Sequence, residues 1–192
     1  EFEEVGCKVR VHLPIPKVYE QVSHVEIYAS NPEITYIAPV DAPQRTVYFE
    51  TELKENQEFM VDYSFDYHVN YVELNPDKLS KEQPDFCLEE QAPHIVFTPY
   101  LRELRDELAG DETNPIILAR RFYDFVTTKV MYSFMREYFA IECIPEYCAI
   151  NLKGDCGVQA LLFITLCRMS GIPARWQSGL YVTKYYTGCH DW

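Results

Sequence analysis

The residues of this 192-residue chain with the clearest chemical potential are Gly154-Asp155-Cys156, which open the apolar stretch GVQALLFITLCRMSG ending at Gly171, and His190 near the last residue. Asp155 carries the acceptor an N-cap needs, and Gly171 the backbone freedom needed just past a helix end. The spacing therefore predicts a helix with Cys156 in its first turn. The positive end of a helix dipole favours a thiolate, and the thiolate is the nucleophile. A cysteine on an apolar helix also serves as a small buried hydrophobe, as Cys167 in mid-helix does. Position alone leaves both readings open.

A nucleophilic cysteine needs a base, and the base an orienting group. Of five histidines, His12, His24 and His68 fall on the polar phase of predicted strands, and His94 lies in a proline-rich stretch. His190 alone follows the cysteine helix, beyond a segment whose Trp176, Leu180 and Val182 suggest a strand. If helix and strands pack in sequence order, the two meet across that layer; the other reading of His190 is structural. A zinc site built from Cys143, Cys148, Cys156 and Cys189 is disfavoured. A C-x4-C pair with distant partners matches no compact zinc motif, and no C-x-x-C occurs. No metal and no cofactor are expected.

Composition narrows the partners. Seventeen Lys and Arg stand against 30 Asp and Glu, a net charge of -13, with no basic patch, which argues against nucleic acid and anionic membranes. The longest apolar candidate, Ala160 to Leu166, is broken at Thr165 and followed by Arg168, far short of the roughly 18 residues of a membrane span. Seven scattered cysteines, an odd number, fit reduced thiols and a cytoplasmic protein. The chain starts at Glu1, so its natural start is not visible.

Two kinds of element must position these residues. In FMVDYSFDYHVNYVEL, residues 59–74, apolar Phe59, Val61, Tyr63, Phe65, Tyr67, Val69 and Tyr71 alternate with polar residues, the period of a strand with one buried face. Shorter alternations at Val9/Val11/Leu13, Val25/Ile27 and Val47/Phe49, separated by proline-rich or polar turns, predict an antiparallel β-sandwich over residues 1–75. Residues 76–97, with prolines, charges and no period, read as a linker. From 98 to 192 the period becomes helical. Leu101, Leu104 and Leu108 precede a stop at Gly110, and Asn114-Pro115 starts a second helix whose Ile117, Arg121, Phe122, Phe125 and Val126 share a side. The fold class is α+β.

Taken together, GDCGVQALLFITLCRMSGIPARWQSGLYV and the closing HDW resemble the transglutaminase-like superfamily core. Gly154, Cys156, Ala160, Arg168, Gly171, Ile172, Pro173, Ala174, Arg175, Gly179, His190 and Trp192 fall in register with its pattern over about the last forty residues. The resemblance implies a papain-like core with Cys156 as nucleophile and His190 as general base. It implies a cysteine enzyme acting on amide bonds of a protein or peptide through a thioester, hydrolysed by water or passed to an amine. By the same resemblance a bacterial member is expected, and bacterial members are more often hydrolases than cross-linking enzymes, which implies a protease or amidohydrolase. The alternative is a binding or structural module that keeps the fold without the chemistry.

The family's third triad residue, an Asp or Asn, lies on the strand after His-x-Trp and is absent from this chain, which is expected to be truncated and inactive alone. Asp191 would point to the opposite face of its strand from His190 and is not expected to substitute. The Cys156 backbone N–H is the natural first oxyanion donor; Asn151, Tyr147 and Tyr132 are open choices for the second. Gly171 is expected to close the helix, and Arg175 to pair with a carboxylate or with carbonyls. Trp192 is expected to pack beside the histidine, and an open edge to leave a homodimer available.

Overall fold

The computed structural model describes residues 4–80 and 82–192, and the chain divides between Val72 and Glu73 into two compact units. The first holds five strands. β1 (Lys8–Pro14) pairs antiparallel with β4 (Thr46–Glu52), whose other edge takes the short β3 (Tyr36–Ile37). β2 (Val22–Asn31) pairs antiparallel with β5 (Met60–Tyr67), with register shifts near His24 and at Ile27/Ala29. Period-two patterning drives one face of each sheet inward. Val11, Leu13, Val47 and Phe49 of the first sheet and Ile27, Val61 and Tyr63 of the second share one apolar cluster with Ile15. His12, His24 and His68 are exposed, as the polar phase predicts. The alternation predicted over 59–74 forms a strand only to Tyr67. Its partner β2 begins at Val22, opposite Tyr67, and without a partner the backbone past His68 has no ladder to join.

Among the described residues all four α-helices lie in the second unit: α1 (Pro99–Ala109), α2 (Pro115–Lys129), α3 (Ile144–Asn151) and α4 (Cys156–Met169). Thr98 caps α1, accepting from Leu101 N, and Asn114 caps α2, accepting from Ile116 N and Ile117 N. α4 is the central element. Val158, Leu161, Leu162, Ile164, Leu166 and Cys167 are all buried, against Leu101 of α1, Leu118, Phe122 and Val126 of α2, and Ile144 and Cys148 of α3. The buried Thr165 hydroxyl donates back to Leu161 O at 2.7 Å, so it leaves no orphan. After α4 the chain forms an antiparallel hairpin of β8 (Ser178–Val182) and β9 (Thr187–Asp191), closed by the Gln177/Trp192 backbone pair. No described helix is long and apolar enough to cross a membrane.

Three expectations need correction. Residues 76–97 are not a free linker. Asn114 Nδ2 donates to Pro76 O at 2.9 Å, Arg168 Nη1 to Glu89 O at 2.8 Å, and Ile95 is buried in the helical core. The segment is a strap on the second unit, held by polar contacts that no periodicity announces. The buried face of α2 is Leu118/Phe122/Val126, one position on from Ile117, and Arg121 is exposed, its guanidinium donating to the C-terminal carbonyl of α1 at Ala109. Arg175 is exposed with no hydrogen-bond or ion-pair partner among the described residues. The carbonyl-pairing role belongs to buried Arg168, which reaches Ala174 O through Nε at 2.8 Å as well as Glu89 O.

Because Phe122 is fully buried against α4, Phe122→Ala is expected to destabilise the protein by about 3–5 kcal/mol. Urea unfolding measures it, and a loss below about 1 kcal/mol would contradict the packing described.

Candidate active site

α4 begins where two short strands cross. β6 (Met131–Tyr132) runs parallel to β7 (Lys153–Gly154), Met131 N donating to Leu152 O at 2.9 Å and Ser133 N to Gly154 O at 3.1 Å. Leu152, in the left-handed region at φ 49°, ends α3 and turns the chain toward this pairing. Gly154 follows at a point where a Cβ would come within 2.5 Å of Val158 Cγ1. Asp155 is the N-cap, its carboxylate accepting from Val158 N at 3.1 Å, and Cys156 is the first helical residue, partly exposed. At the other end Gly171, at φ 73°, lets Gly171 N reach Arg168 O and Ile172 N reach Cys167 O, a double C-terminal closure.

A second group reaches Asp155. The Tyr138 hydroxyl donates to Asp155 Oδ1 at 2.6 Å. Burial foremost, then this hydrogen bond, raises the Tyr138 pKa, so the phenol stays a donor. Gly157 makes the approach possible: a Cβ there would collide with the Tyr138 hydroxyl and come within 3.0 Å of Asp191 Oδ2. Tyr138 is a residue that sequence reasoning missed. It belongs to a short 3-10 turn in a segment without periodicity, and only the fold carries it to Asp155.

Of the three candidate second donors, one lies at Cys156. Parallel pairing puts Tyr132 opposite Gly154, and its hydroxyl stands beside both the side chain and the backbone of Cys156; burial, then the neighbouring sulfur, raises its pKa. Asn151 instead donates to Tyr147 O at 2.8 Å, and the Tyr147 ring lies under the Arg136 guanidinium at 5.6 Å. The remaining thiols of the core differ from Cys156. Burial pushes Cys148 and Cys167 up to about 12, and both are enclosed.

His190 lies on β9 opposite Gly179, its ring packed with Tyr181 at 6.1 Å and Trp192 at 5.8 Å between centroids. Trp192 covers Gly179, where a Cβ would meet its ring at 2.9 Å. Strand alternation turns Asp191 the other way, toward Gly157 and Tyr138 in the first turn of α4. Among the described residues no hydrogen bond joins Cys156 and His190. The two are on neighbouring elements, with Asp191 the member of β9 that reaches α4.

Asp191 has a raised pKa, first from burial and then from the like charge of Asp155, with the neighbouring His190 and then the Trp176 indole acting the other way. A folded-state value above the unfolded one means that the stability this group contributes is present at low pH and is lost as pH rises through the raised value. The contact of β9 with α4 is therefore expected to loosen from about pH 4 upward. Hydrogen exchange of the β9 amides reads this directly. Asp191→Asn should flatten the pH dependence, and an unchanged profile in that variant would count against the assignment.

Residues 102–192 match the sequence profile of the transglutaminase-like superfamily. The chain is similar in structure to the crystal structure of a protein from Cytophaga hutchinsonii named "a Putative Cysteine Protease", with a TM-score of 0.61 and 16% sequence identity. The similarity covers 97% of this chain and 67% of that one, so the chain spans about two thirds of that protein's length. No curated protein sequence matches it.

Proposed function

From the match of residues 102–192 to the transglutaminase-like superfamily, we propose that the protein is a cysteine enzyme that cleaves amide bonds of proteins or peptides. The observation that carries this reading is the placement of the Tyr132 hydroxyl beside a cysteine in the first turn of α4. Cys156 Sγ attacks the amide carbonyl carbon, and the Cys156 N–H and the Tyr132 hydroxyl receive the charge that builds on oxygen. His190 takes the thiol proton and returns it to the leaving nitrogen as the C–N bond breaks, which leaves a thioester. Water then attacks the thioester, giving a carboxylic acid and the free thiol, so the enzyme is a protease or amidohydrolase; an amine in place of water gives transamidation. Support for His190 comes from its place within the matched residues 102–192; because β9 turns Asp191 to the first turn of α4, its approach to the sulfur requires the hairpin to rotate from that pose. Active-site hydrogen bonds are often long before substrate binds. All seven cysteines are free thiols, which fits a reducing compartment such as the cytoplasm.

The second reading, a binding or structural module without chemistry, is favoured by the missing Cys156–His190 hydrogen bond. Two measurements on the full-length protein separate them. Cys156→Ala is expected to abolish ammonia or peptide release while leaving the melting temperature almost unchanged, and iodoacetamide near neutral pH should label Cys156 well before Cys167. Equal labelling rates, or activity that survives the substitution, favour the module.

Tyr132→Phe tests the oxyanion role. Removing one such donor lowers kcat by about 10²–10³-fold, with KM little changed. A kcat within about twofold of the parent would remove Tyr132 from the oxyanion site.

A further inference from the structure

Residues 133–140 leave β6 directly after Tyr132 and are fastened on both sides. Met135 and, just beyond, Ile141 are buried in the helical core, and the Tyr138 hydroxyl is held on Asp155. Between these anchors Phe134 and Phe139 are 96% and 90% exposed. Large rings in solvent are unfavourable by roughly 25 cal/mol per Å² of apolar area left uncovered. Here the anchors prevent the segment from folding them away. Both rings line a cleft of about 460 Å³, and Asp155, the residue before Cys156, lines it too.

The polar groups on this wall are largely committed elsewhere. Asp155 accepts from Tyr138 and Val158, and the Arg136 guanidinium lies over the Tyr147 ring. Arg136 and Glu137 are both exposed, and neither forms an ion pair among the described residues. A ligand in the cleft therefore meets two aromatic faces, with one exposed cation and one exposed carboxylate at its rim. Phe139 and Tyr138 also line a second cleft of about 370 Å³ with Pro93, Ile141 and Ile144, together with His94 and Glu142.

We propose that the Phe134/Phe139 cleft is a specificity subsite that takes a bulky apolar or aromatic side chain of the peptide whose amide carbonyl Cys156 attacks. The inference rests on the amide-cleaving reading above and adds the class of residue recognised. The cleft begins one residue from the nucleophile and an extended chain rises about 3.3 Å per residue, so the recognised side chain sits within one or two positions of the cleaved bond. Ring-on-ring contact adds to simple burial, which favours phenylalanine and tyrosine over leucine.

The test uses the full-length protein and two peptides that differ only in carrying Phe or Glu beside the cleavable amide. The Phe peptide is expected to be favoured in kcat/KM by about tenfold or more, mostly through KM. In the Phe134→Ala/Phe139→Ala double variant the two peptides should come within about twofold of each other. Equal rates in the parent protein, or a preference that survives the double substitution, overturn the subsite. If neither peptide is cleaved, the amide-cleaving reading fails separately. Fluorescence anisotropy of the labelled peptides on Cys156→Ala then still decides the subsite, by the same preference and its loss. A fall of several degrees in the melting temperature of the double variant would mean that another part of the protein covers the rings, and would also overturn it.

Discussion

A helix buried on nearly every side must satisfy both of its ends without help from water, and the second unit is arranged around meeting that demand for α4. At the C-terminal end Gly171 turns the chain so that two amides return to Arg168 and Cys167 carbonyls. Arg168 is itself buried, and among the described residues no carboxylate pairs with it; its guanidinium is satisfied by the Ala174 and Glu89 carbonyls. A buried cation left without such partners costs several kcal/mol. The strap carrying Glu89 and the turn leading to β8 are thus bound to α4 by the same charge. This binding positions both the helix that bears Cys156 and the hairpin that bears His190.

The N-terminal end has the opposite problem, unpaired N–H groups, and its solution shapes the chemistry. Asp155 takes the Val158 amide, while the first amides of any helix, that of Cys156 included, have no partner within the helix. The geometry that begins the helix therefore also presents donors and a positive dipole to whatever approaches the sulfur. The two glycines beside this point have distinct steric duties. Gly154 leaves room for Val158, and Gly157 leaves room for Tyr138 to reach Asp155. The motif Gly-Asp-Cys-Gly is thus a packing solution as well as a chemical one.

What could be read from the residues alone divides along sequence distance. The end of α1, the start of α2 and both ends of α4 were legible because caps and stop residues act within one turn, and the α+β class followed from the change of period between the units. Features set by distant partners were not. Arg168 meets Glu89 across 79 residues and Tyr138 meets Asp155 across 17, and no local pattern encodes either contact. In α2 the run Ile116-Ile117-Leu118 supports two adjacent apolar faces equally well, and packing against α4 chose the one through Leu118. The alternation past Tyr67 could not show that its partner strand had already ended. Arg175 and Arg168 were alike as arginines near a helix end, and burial separated them. The candidate site followed the same division, the place of Cys156 in the first turn being predictable from its cap, while the nearness of Tyr132 rather than Asn151 or Tyr147 to Cys156 required the parallel β6–β7 pairing.

β9 shows how little separates one arrangement of this site from another. A strand of period two can offer α4 either His190 or Asp191, but not both. Asp191 takes the position, at the cost of standing near Asp155 with a like charge, which burial makes harder to bear. Among the described residues the hairpin pairs with no other strand and meets α4 through contacts around Gly157, Tyr138 and Trp176. Among these contacts, the charge state of a single carboxyl bears on the pose of the strand that carries His190.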